Sequence, residues 1–260
     1  MIPIKDYNPA RRFPVVTLVL IAINVGVYFF VQRPFDENTS QARFSYEVAA
    51  IPCEVVQGRP LTEDEVVQTL QSDDDSACEE RTSSDDEAVF PNKSVWLALL
   101  YSMFLHGSLL HLGGNMLFLW IFGNNIEDRM GLGGYVGFYL LAGLVASAAH
   151  ILVQPDSTIP VVGASGAIAG VMGAYGVLFP NVKIRSLIIL IILVLFRDIP
   201  AKWWLGFWFV TQFFTNPNEG VAWVAHVGGF VFGALVALFL RDRLRPSRVP
   251  TLEPSPEPIW

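Results

Sequence analysis

Runs of apolar residues, several of them close to 20 residues long, constrain this chain more than any other feature. A helix needs roughly 20 predominantly apolar residues to cross the hydrocarbon core of a bilayer. Apolar residues make up 52% of the 260 residues and charged residues only 16%, which is too apolar for an ordinary soluble domain. The sequence therefore predicts an all-α, polytopic membrane protein. Its expected spans are six, at about 13–32, 111–127, 133–153, 161–179, 201–215 and 221–240.

The charged residues are distributed unevenly along the chain. Fifteen of the twenty-four acidic residues lie between Asp36 and Glu87, so we expect the segment 33–93 to be a solvated loop or a small cap domain. Basic residues cluster at three other places, which the positive-inside rule assigns to the cytoplasm. They are Lys5, Arg11 and Arg12; Lys183 and Arg185; and Arg241, Arg243, Arg245 and Arg248. With six spans, both termini are then cytoplasmic and the acidic insertion is extracytoplasmic.

This scheme divides the chain into a cytoplasmic N-terminus at 1–12, a membrane domain at 13–240 and a basic, proline-rich cytoplasmic tail at 241–260. The first apolar run is too long for the core of a typical secretory signal and has no small-x-small cleavage site. We therefore expect it to be a retained span of a multi-pass protein of the cell membrane. From Pro246 onward the tail is expected to be disordered.

The acidic insertion leaves two questions open. The chain's only cysteines, Cys53 and Cys78, both lie in it, and they either pair in an oxidising compartment or remain free thiols. The insertion could bind a partner, bind cations weakly or simply be solvated, and we favour the last.

One apolar segment, 184–196, is too short to span a membrane. If it did cross, the helices after it would invert and the basic C-terminus would lie outside. We therefore expect a short re-entrant or interfacial piece on the cytoplasmic side, before the fifth span.

Polar side chains inside the expected spans stand out, because each is costly in hydrocarbon unless it has a partner or lines a wet cavity. They are Asn24, His111, Asn115, Ser147, His150, Ser165, Thr211, Gln212 and His226. For His150 we favour a hydrogen bond to a neighbouring helix. His111 and Asn115 are four residues apart and share one helix face. The predicted topology brings them in from the outer side, as it does Ser165 and His226 on two other spans. Together these side chains supply a nucleophile, a base and donors to an oxyanion, as acyl transfer requires.

Glycines at four-residue spacing line the fourth and sixth spans. The pairs are Gly166 with Gly170, and Gly229 with Gly233. Such faces let two helices approach backbone to backbone. Packing along them would bring the Ser165 hydroxyl within hydrogen-bond reach of His226.

From about Asn8 to Leu240, these motifs resemble those of the rhomboid intramembrane serine proteases. The matching stretches are HLGGN at 111–115, GASGA at 163–167, AHVGG at 225–229 and EDRMG at 127–131, the last similar to the family's Glu-x-Arg signature. Each motif alone is weak, but together and in this order they are specific. The resemblance implies a six-transmembrane-helix rhomboid-like bundle.

The resemblance also implies roles for individual residues. Ser165 would be the nucleophile and His226 the general base, with no carboxylate as a third member and no cofactor or metal. His111, Asn115 and the Ser165 backbone N–H would hold the oxyanion. Supporting positions would be His106, Gly163, Gly166, Gly229, Glu127 and Arg129. Ala169 departs from members that carry an aromatic residue stacked on the histidine, so His226 must be held in another way.

Substrates implied by the resemblance are other membrane proteins whose spanning helix unwinds near its outer end. Their entry would be lateral from the lipid bilayer, past the fifth span and the loop 216–220, which we expect to be mobile. Because hydrolysis needs water, we also expect a wet cavity lined by His106, His111, Asn115 and His226. The acidic charge balance argues against nucleic acid as a partner.

Other functions are less favoured. A rhomboid-like protein that binds membrane clients without cleaving them would share the fold, but such relatives typically lack the serine or the histidine. A small transporter is disfavoured because we see no inverted repeat or paired broken helices. A metal-dependent intramembrane protease would need H-E-x-x-H, which is absent, and an aspartyl protease would need aspartates on two spans.

Overall fold

The computed structural model describes residues 1–34, 36, 40–72, 75–78, 87–190, 193–215 and 222–244. This part of the chain is mostly helical, and helices occupy all six of the apolar runs expected to span the membrane. The helices are α1 (Val15–Gly26), continued by a π-helical segment (Val27–Gln32), α2 (Gln41–Val48), α3 (Pro52–Gln57), α4 (Glu63–Ser72), α5 (Val95–Ser102), α6 (Leu109–Val153), α7 (Ser165–Leu178), α8 (Ala201–Gln212), α9 (Trp223–Phe239) and α10 (Arg241–Leu244).

Two helical segments in the described residues are long and apolar enough to cross a membrane. They are Val15–Gln32, with mean hydropathy 2.2, and Leu109–Val153, with mean hydropathy 2.0. The helices Ser165–Leu178 and Trp223–Phe239 are apolar but shorter.

Helix α6 is a pair of helices that reverses at Gly131. This glycine has φ 71° and ψ 170°, a left-handed conformation that favours glycine over any other residue. The chain folds back on itself at this residue. The contacts of the Thr17 side chain show the reversal, since it is hydrogen-bonded both to Glu127 before Gly131 and to Tyr135 after it. The two halves therefore match the expected second and third spans.

Helix α7 lies at the centre of the bundle. Every residue from Gly166 to Tyr175 is buried, as expected for a helix that is apolar on all sides. It packs most extensively on α9, with a further large contact on α6. A Cβ added at Gly229 would overlap the carbonyl oxygen of Gly166, and one at Gly233 would overlap that of Gly170. The predicted backbone-to-backbone approach along the two glycine faces is thus present.

The all-α prediction is wrong for the described residues of the segment 184–196, which are not helical. They lie in two strands, β2 (Lys183–Leu190) and β3 (Leu193–Pro200), that pair antiparallel, and a re-entrant or interfacial location for them stays a prediction. The N-terminal strand β1 (Ile2–Asp6) pairs antiparallel with β2, giving a three-stranded sheet in the order β1-β2-β3. Isoleucine and valine are frequent in this segment, and β-branched side chains favour strands. The apolar composition of this segment was recognised from the sequence, but its strand structure was not.

The acidic insertion forms a small helical cap, of which α2, α3 and α4 lie in the described residues. Its own apolar cluster contains Tyr46, Ile51, Cys53 and Leu61. Cys53 and Cys78 are disulfide-bonded, which decides between the two states that the sequence left open. Lys93 forms a buried ion pair with Glu54 at the base of the cap. Burial raises the pKa of Glu54 and lowers that of Lys93, because removal from water disfavours both charges.

Hydrogen bonds attach this cap to the segment that leads into α7. The backbone N–H of Cys53 donates to the Ser157 carbonyl at 2.9 Å, and that of Val161 donates to the Ala50 carbonyl at 2.8 Å. The side chain of Thr69 is hydrogen-bonded to that of Thr158 at 2.7 Å. The cap therefore contacts residues shortly before Ser165, whereas the sequence predicted a solvated loop or a small cap domain and no such contact.

Candidate active site

Ser165 is the first residue of α7, and its Oγ lies 2.8 Å from Nε2 of His226. His226 is in the first turn of α9, and the close glycine contact between α7 and α9 brings the two side chains together. Both residues are partly buried. The sequence prediction that the Ser165 hydroxyl lies within hydrogen-bond reach of His226 thus matches the observed contact.

The other ring nitrogen of His226 contacts α8. Its Nδ1 lies 2.8 Å from Oε1 of Gln212, the last residue of that helix. The Trp208 ring also lies near the imidazole, with 6.0 Å between the ring centroids and 39° between the planes. Ala169, which is buried in α7, has no ring that could stack on the imidazole. Helix α8 instead holds His226, through Gln212 and Trp208, and the sequence did not identify this support.

His111 lies near Ser165 and contacts the Gly163 side of the site. The backbone N–H of Gly107 donates to Nδ1 of His111 at 3.4 Å, which leaves the ring proton on Nε2. A Cβ added at Gly163 would lie 2.9 Å from this Nε2 and 3.4 Å from the Ser165 Oγ. The Nε2–H group is therefore a donor beside the serine hydroxyl.

Asn115 follows His111 by one helical turn and is 8% exposed. Its Nδ2 is buried and has no hydrogen-bond partner among the described residues. A buried donor without a partner is costly unless a ligand or water satisfies it. Together with the free N–H groups of the first turn of α7, this amide gives the site several unoccupied donors.

Gly163 has φ 131°, a backbone conformation that side chains rarely adopt. Its N–H donates to the carbonyl of Ser102 at 2.9 Å, which fixes the peptide just before the serine. Because a side chain here would also press on the His111 ring, the site needs glycine at this position.

A small cavity beside Ser165 is lined by Ser102, Met103, Gly143, Ser147, Gly163 and Ala225 among others. The wet cavity expected to be lined by His106, His111, Asn115 and His226 stays a prediction. The His106 side chain is buried, at 1% exposure. Its ring packs edge-on against His111, with centroids 5.2 Å apart. Burial, followed by the charge of His111, lowers the pKa of His106 to about 4.

The remaining supporting residues fall into two groups. Gly166 and Gly229 form the α7–α9 contact beneath the Ser165–His226 pair. Glu127 and Arg129 lie close to the reversal at Gly131 in the middle of α6, away from the serine. The Glu127 carboxylate accepts hydrogen bonds from the first turn of α1, and the Arg129 guanidinium stacks on the Phe179 ring at 5.0 Å.

Some residues at the site were missed or only partly recognised from the sequence. Gln212 was noted as a polar residue in a span, without a partner. Gln32 exchanges two hydrogen bonds with the backbone of His106, at 3.0 and 2.9 Å, but lies at the end of its apolar run and gave no signal. For His150, the expected hydrogen bond is not found at Nδ1, which is buried and unpartnered among the described residues.

Two further predictions concern a metal and a loop. Within the part of the chain that the structure describes, Cys53, Glu65 and Cys78 lie close enough to share an ion, but the two sulfurs are bonded to each other. The loop 216–220, expected to be mobile, lies outside the described residues, as does the tail from residue 245.

The fold is a helical bundle that includes helices of membrane-spanning character. Its central buried helix begins at a serine that is paired with a histidine. These features together define a class of membrane protein. The family model for the rhomboid domain matches residues 93–243, and this chain belongs to the rhomboid family. It is accordingly a membrane protein.

Curated relatives agree with this assignment. The chain is 27% identical over 161 residues to rhomboid protein 1, mitochondrial, of Saccharomyces cerevisiae, covering 58% of this chain and 44% of the relative. It is 33% identical over 148 residues to rhomboid protease GluP of Bacillus subtilis, covering 56% and 26%. It is 28% identical over 172 residues to human presenilin-associated rhomboid-like protein, mitochondrial, covering 62% and 41%. The chain thus spans less than half the length of each.

Proposed function

We propose that this protein is an intramembrane serine endopeptidase that cleaves transmembrane helices of other membrane proteins near their outer end. The observation that carries the proposal is the 2.8 Å contact between the Ser165 Oγ and the His226 Nε2. A serine is a weak nucleophile until a neighbouring base accepts its proton, and this geometry suits that transfer. Membership of the rhomboid family and the similarity to GluP, named a protease, support the same conclusion.

The proposed reaction begins when His226 takes the hydroxyl proton of Ser165. The serine oxygen then attacks the scissile carbonyl and forms a tetrahedral oxyanion. His226 returns the proton to the leaving amine, which leaves an acyl-enzyme on Ser165. A water molecule, activated by the same histidine, hydrolyses this ester and regenerates the hydroxyl.

Three kinds of donor are available for the oxyanion. They are the His111 Nε2–H, the Asn115 amide and the backbone N–H of Ser165. The position of Ser165 at the start of α7 adds the positive end of the helix dipole, which favours developing negative charge. Donors already held in place stabilise the transition state without reorganisation, and this is the main contribution that we assign to the site.

We further propose that the active site opens to the extracytoplasmic side of the membrane, that both termini are cytoplasmic, and that all six helical runs cross the bilayer. Lys5 pairs in register with Arg185 in the sheet, and the Arg129 guanidinium reaches the Leu244 carbonyl. Three basic regions are thus gathered away from Ser165, which supports a cytoplasmic location for that end. The relatives named above include mitochondrial proteins, so the proposal concerns sidedness and leaves the membrane itself unassigned.

Labelling with a fluorophosphonate tests this proposal. The purified wild-type protein should be labelled, and Ser165→Ala and His226→Ala should not, while thermal unfolding shows that both variants remain folded. Ser147→Ala is a matched control, because it removes another hydroxyl beside the same cavity without touching His226. Equal labelling of wild type and Ser165→Ala would contradict a serine protease mechanism and favour a rhomboid-like protein that binds membrane clients without cleaving them.

A further inference from the structure

We propose that Gln212 is a positioning residue that holds His226 in the tautomer with its proton on Nδ1. The inference rests on the proposed function, since this tautomer matters only if His226 acts as the base toward Ser165. It adds a third member to the serine–histidine pair, and this member is a neutral amide from α8.

The orientation of the Gln212 amide follows from its second hydrogen bond. Its Nε2 lies 3.0 Å from the Trp208 carbonyl oxygen, which can only accept. The amide nitrogen must therefore face Trp208, and the amide oxygen must face the imidazole. Which end of the amide is oxygen and which is nitrogen is therefore fixed by the Trp208 carbonyl, which can only accept.

The His226 tautomer then follows in the same way. Because the Gln212 Oε1, 2.8 Å from Nδ1, can only accept, Nδ1 must carry the proton. In the neutral ring, Nε2 then has the free lone pair. It faces the Ser165 Oγ at 2.8 Å, so the serine hydroxyl donates to it. This is the arrangement that a general base requires before the reaction begins.

The surroundings of Gln212 restrict its movement. The residue is 8% exposed and ends α8, and Trp208, which accepts its hydrogen bond, lies one turn earlier and beside the imidazole ring. Neutrality also suits the location, because a buried carboxylate in a membrane span would be costly. An amide can orient the imidazole without introducing that charge.

The test combines labelling rates with the tautomer of His226 observed directly. Gln212→Leu removes the acceptor and should slow fluorophosphonate labelling of Ser165 by about tenfold, the order expected for one lost hydrogen bond. Gln212→Glu keeps an oxygen acceptor, and as the neutral acid, which burial favours, its hydroxyl can still donate to the Trp208 carbonyl, so this variant should restore most of the rate. Thr211→Val is the matched control, because the Thr211 hydroxyl also donates to the Trp208 carbonyl, at 2.6 Å, but His226 is hydrogen-bonded to Gln212 and Ser165 instead. Its labelling rate should equal that of wild type.

Nitrogen-15 NMR of histidine-labelled protein gives the second readout, with the His226 signals assigned from their loss in His226→Ala. The wild type and Gln212→Glu should carry the proton on Nδ1, and Gln212→Leu should lose that preference. An unchanged tautomer and labelling rate in Gln212→Leu would overturn the inference, as would equal losses in Gln212→Leu and Gln212→Glu. The NMR result does not depend on turnover. If wild-type Ser165 failed to label, the protease proposal would fall, whereas the tautomer would still decide the role of Gln212.

Discussion

Asn115 lies one helical turn from His111, and its buried amide nitrogen makes no hydrogen bond to any described residue. Such a group is explained if its partner is present only during the reaction. The HLGGN motif allowed this position to be predicted, because a four-residue spacing places both side chains on one helix face. The tautomers of His111 and His226 could not be predicted, since they depend on the Gly107 backbone and on Gln212.

Replacing Asn115 with alanine should lower kcat by about 100- to 1000-fold, as for loss of an oxyanion donor in other serine proteases. The melting temperature should change little, because the amide nitrogen makes no hydrogen bond among the described residues that the substitution would break. The measurement is kcat with a membrane-protein substrate, alongside thermal unfolding. Gly114→Ala is the control, since its added methyl group meets nothing within 4 Å. A small kcat effect with a large loss of stability would indicate a purely structural role.

His106 should make the stability of the protein depend on pH. Its pKa falls from 6.5 to about 4 on folding, because burial disfavours the charged ring. Between these values the unfolded chain binds a proton that the folded protein does not, so stability is complete above pH 6.5 and is lost as the pH falls toward 4. The contribution is about 3 kcal/mol, since one pKa unit corresponds to about 1.4 kcal/mol. Denaturant unfolding at several pH values measures it.

In His106→Gln the slope of unfolding free energy against pH between 6.5 and 4 should be shallower than in wild type. At pH 8, the difference in unfolding free energy between His106→Gln and wild type reports only the altered packing. His106 is neutral at that pH in both the folded and the unfolded protein. An identical slope in the two proteins would mean that His106 is protonated in the folded protein as readily as in the unfolded chain.

At the scale of elements, α1 begins without a capping side chain of its own, since Pro14 precedes it. The Glu127 carboxylate performs this role from α6, accepting from the N–H groups of Val16 and Thr17 at 2.9 and 2.8 Å and from the Thr17 hydroxyl at 2.7 Å. An anion at a helix N-terminus is favourable both for its hydrogen bonds and for the helix dipole. The EDRMG motif therefore joins two helices in this structure, at a distance from Ser165.

Replacing Glu127 with glutamine should destabilise the protein by about 1–3 kcal/mol, because one amide cannot accept three hydrogen bonds at these positions. Labelling of Ser165 per folded molecule should be unchanged. Asp128→Asn, which removes the neighbouring negative charge, should have a much smaller effect on the melting temperature. If Glu127→Gln abolished labelling while the protein stayed folded, the residue would have a role in the reaction that its contacts do not indicate.

The helices and the sheet differ in how far the sequence could predict them. Helical runs such as 133–153 depend on local apolar composition, so their positions were predictable within a few residues. Helix α7 begins at Ser165, four residues later than the apolar run, because Gly163 adopts an extended, positive-φ conformation. The sheet was missed, since β1 contains few apolar residues and its partner β2 lies far along the chain. Pairing over such a distance leaves no local signal.

At the scale of the whole molecule, the cap and the membrane domain are joined close to the proposed active site. The Ala50 carbonyl accepts from Val161, four residues before Ser165, and the disulfide lies in the same small domain. The acidic residues led us to expect an insertion at 33–93, and these bounds stay a prediction. Its contacts with the bundle involve backbone groups and buried threonines, which composition does not predict.

Replacing both cysteines with serine should destabilise the cap by roughly 3 kcal/mol, because the bond closes a loop with a sequence separation of 25 residues. Hydrogen exchange should increase over 41–72 and also over 157–161, which the cap holds through hydrogen bonds. The core of α7 should remain protected. A reducing agent should produce the same change in wild type and none in the double variant, and equal protection in all samples would contradict the prediction.

The pairing of β1 with β2 also has a consequence for biosynthesis. Ile2 is synthesised before its partner Leu187, which is added only after roughly 180 further residues, and this takes on the order of 10–40 s at about 5–20 residues per second. Strand β1 must remain without this partner for that time. The sheet can therefore close only after β2 has been synthesised, and this step joins β1 to a segment that follows α7.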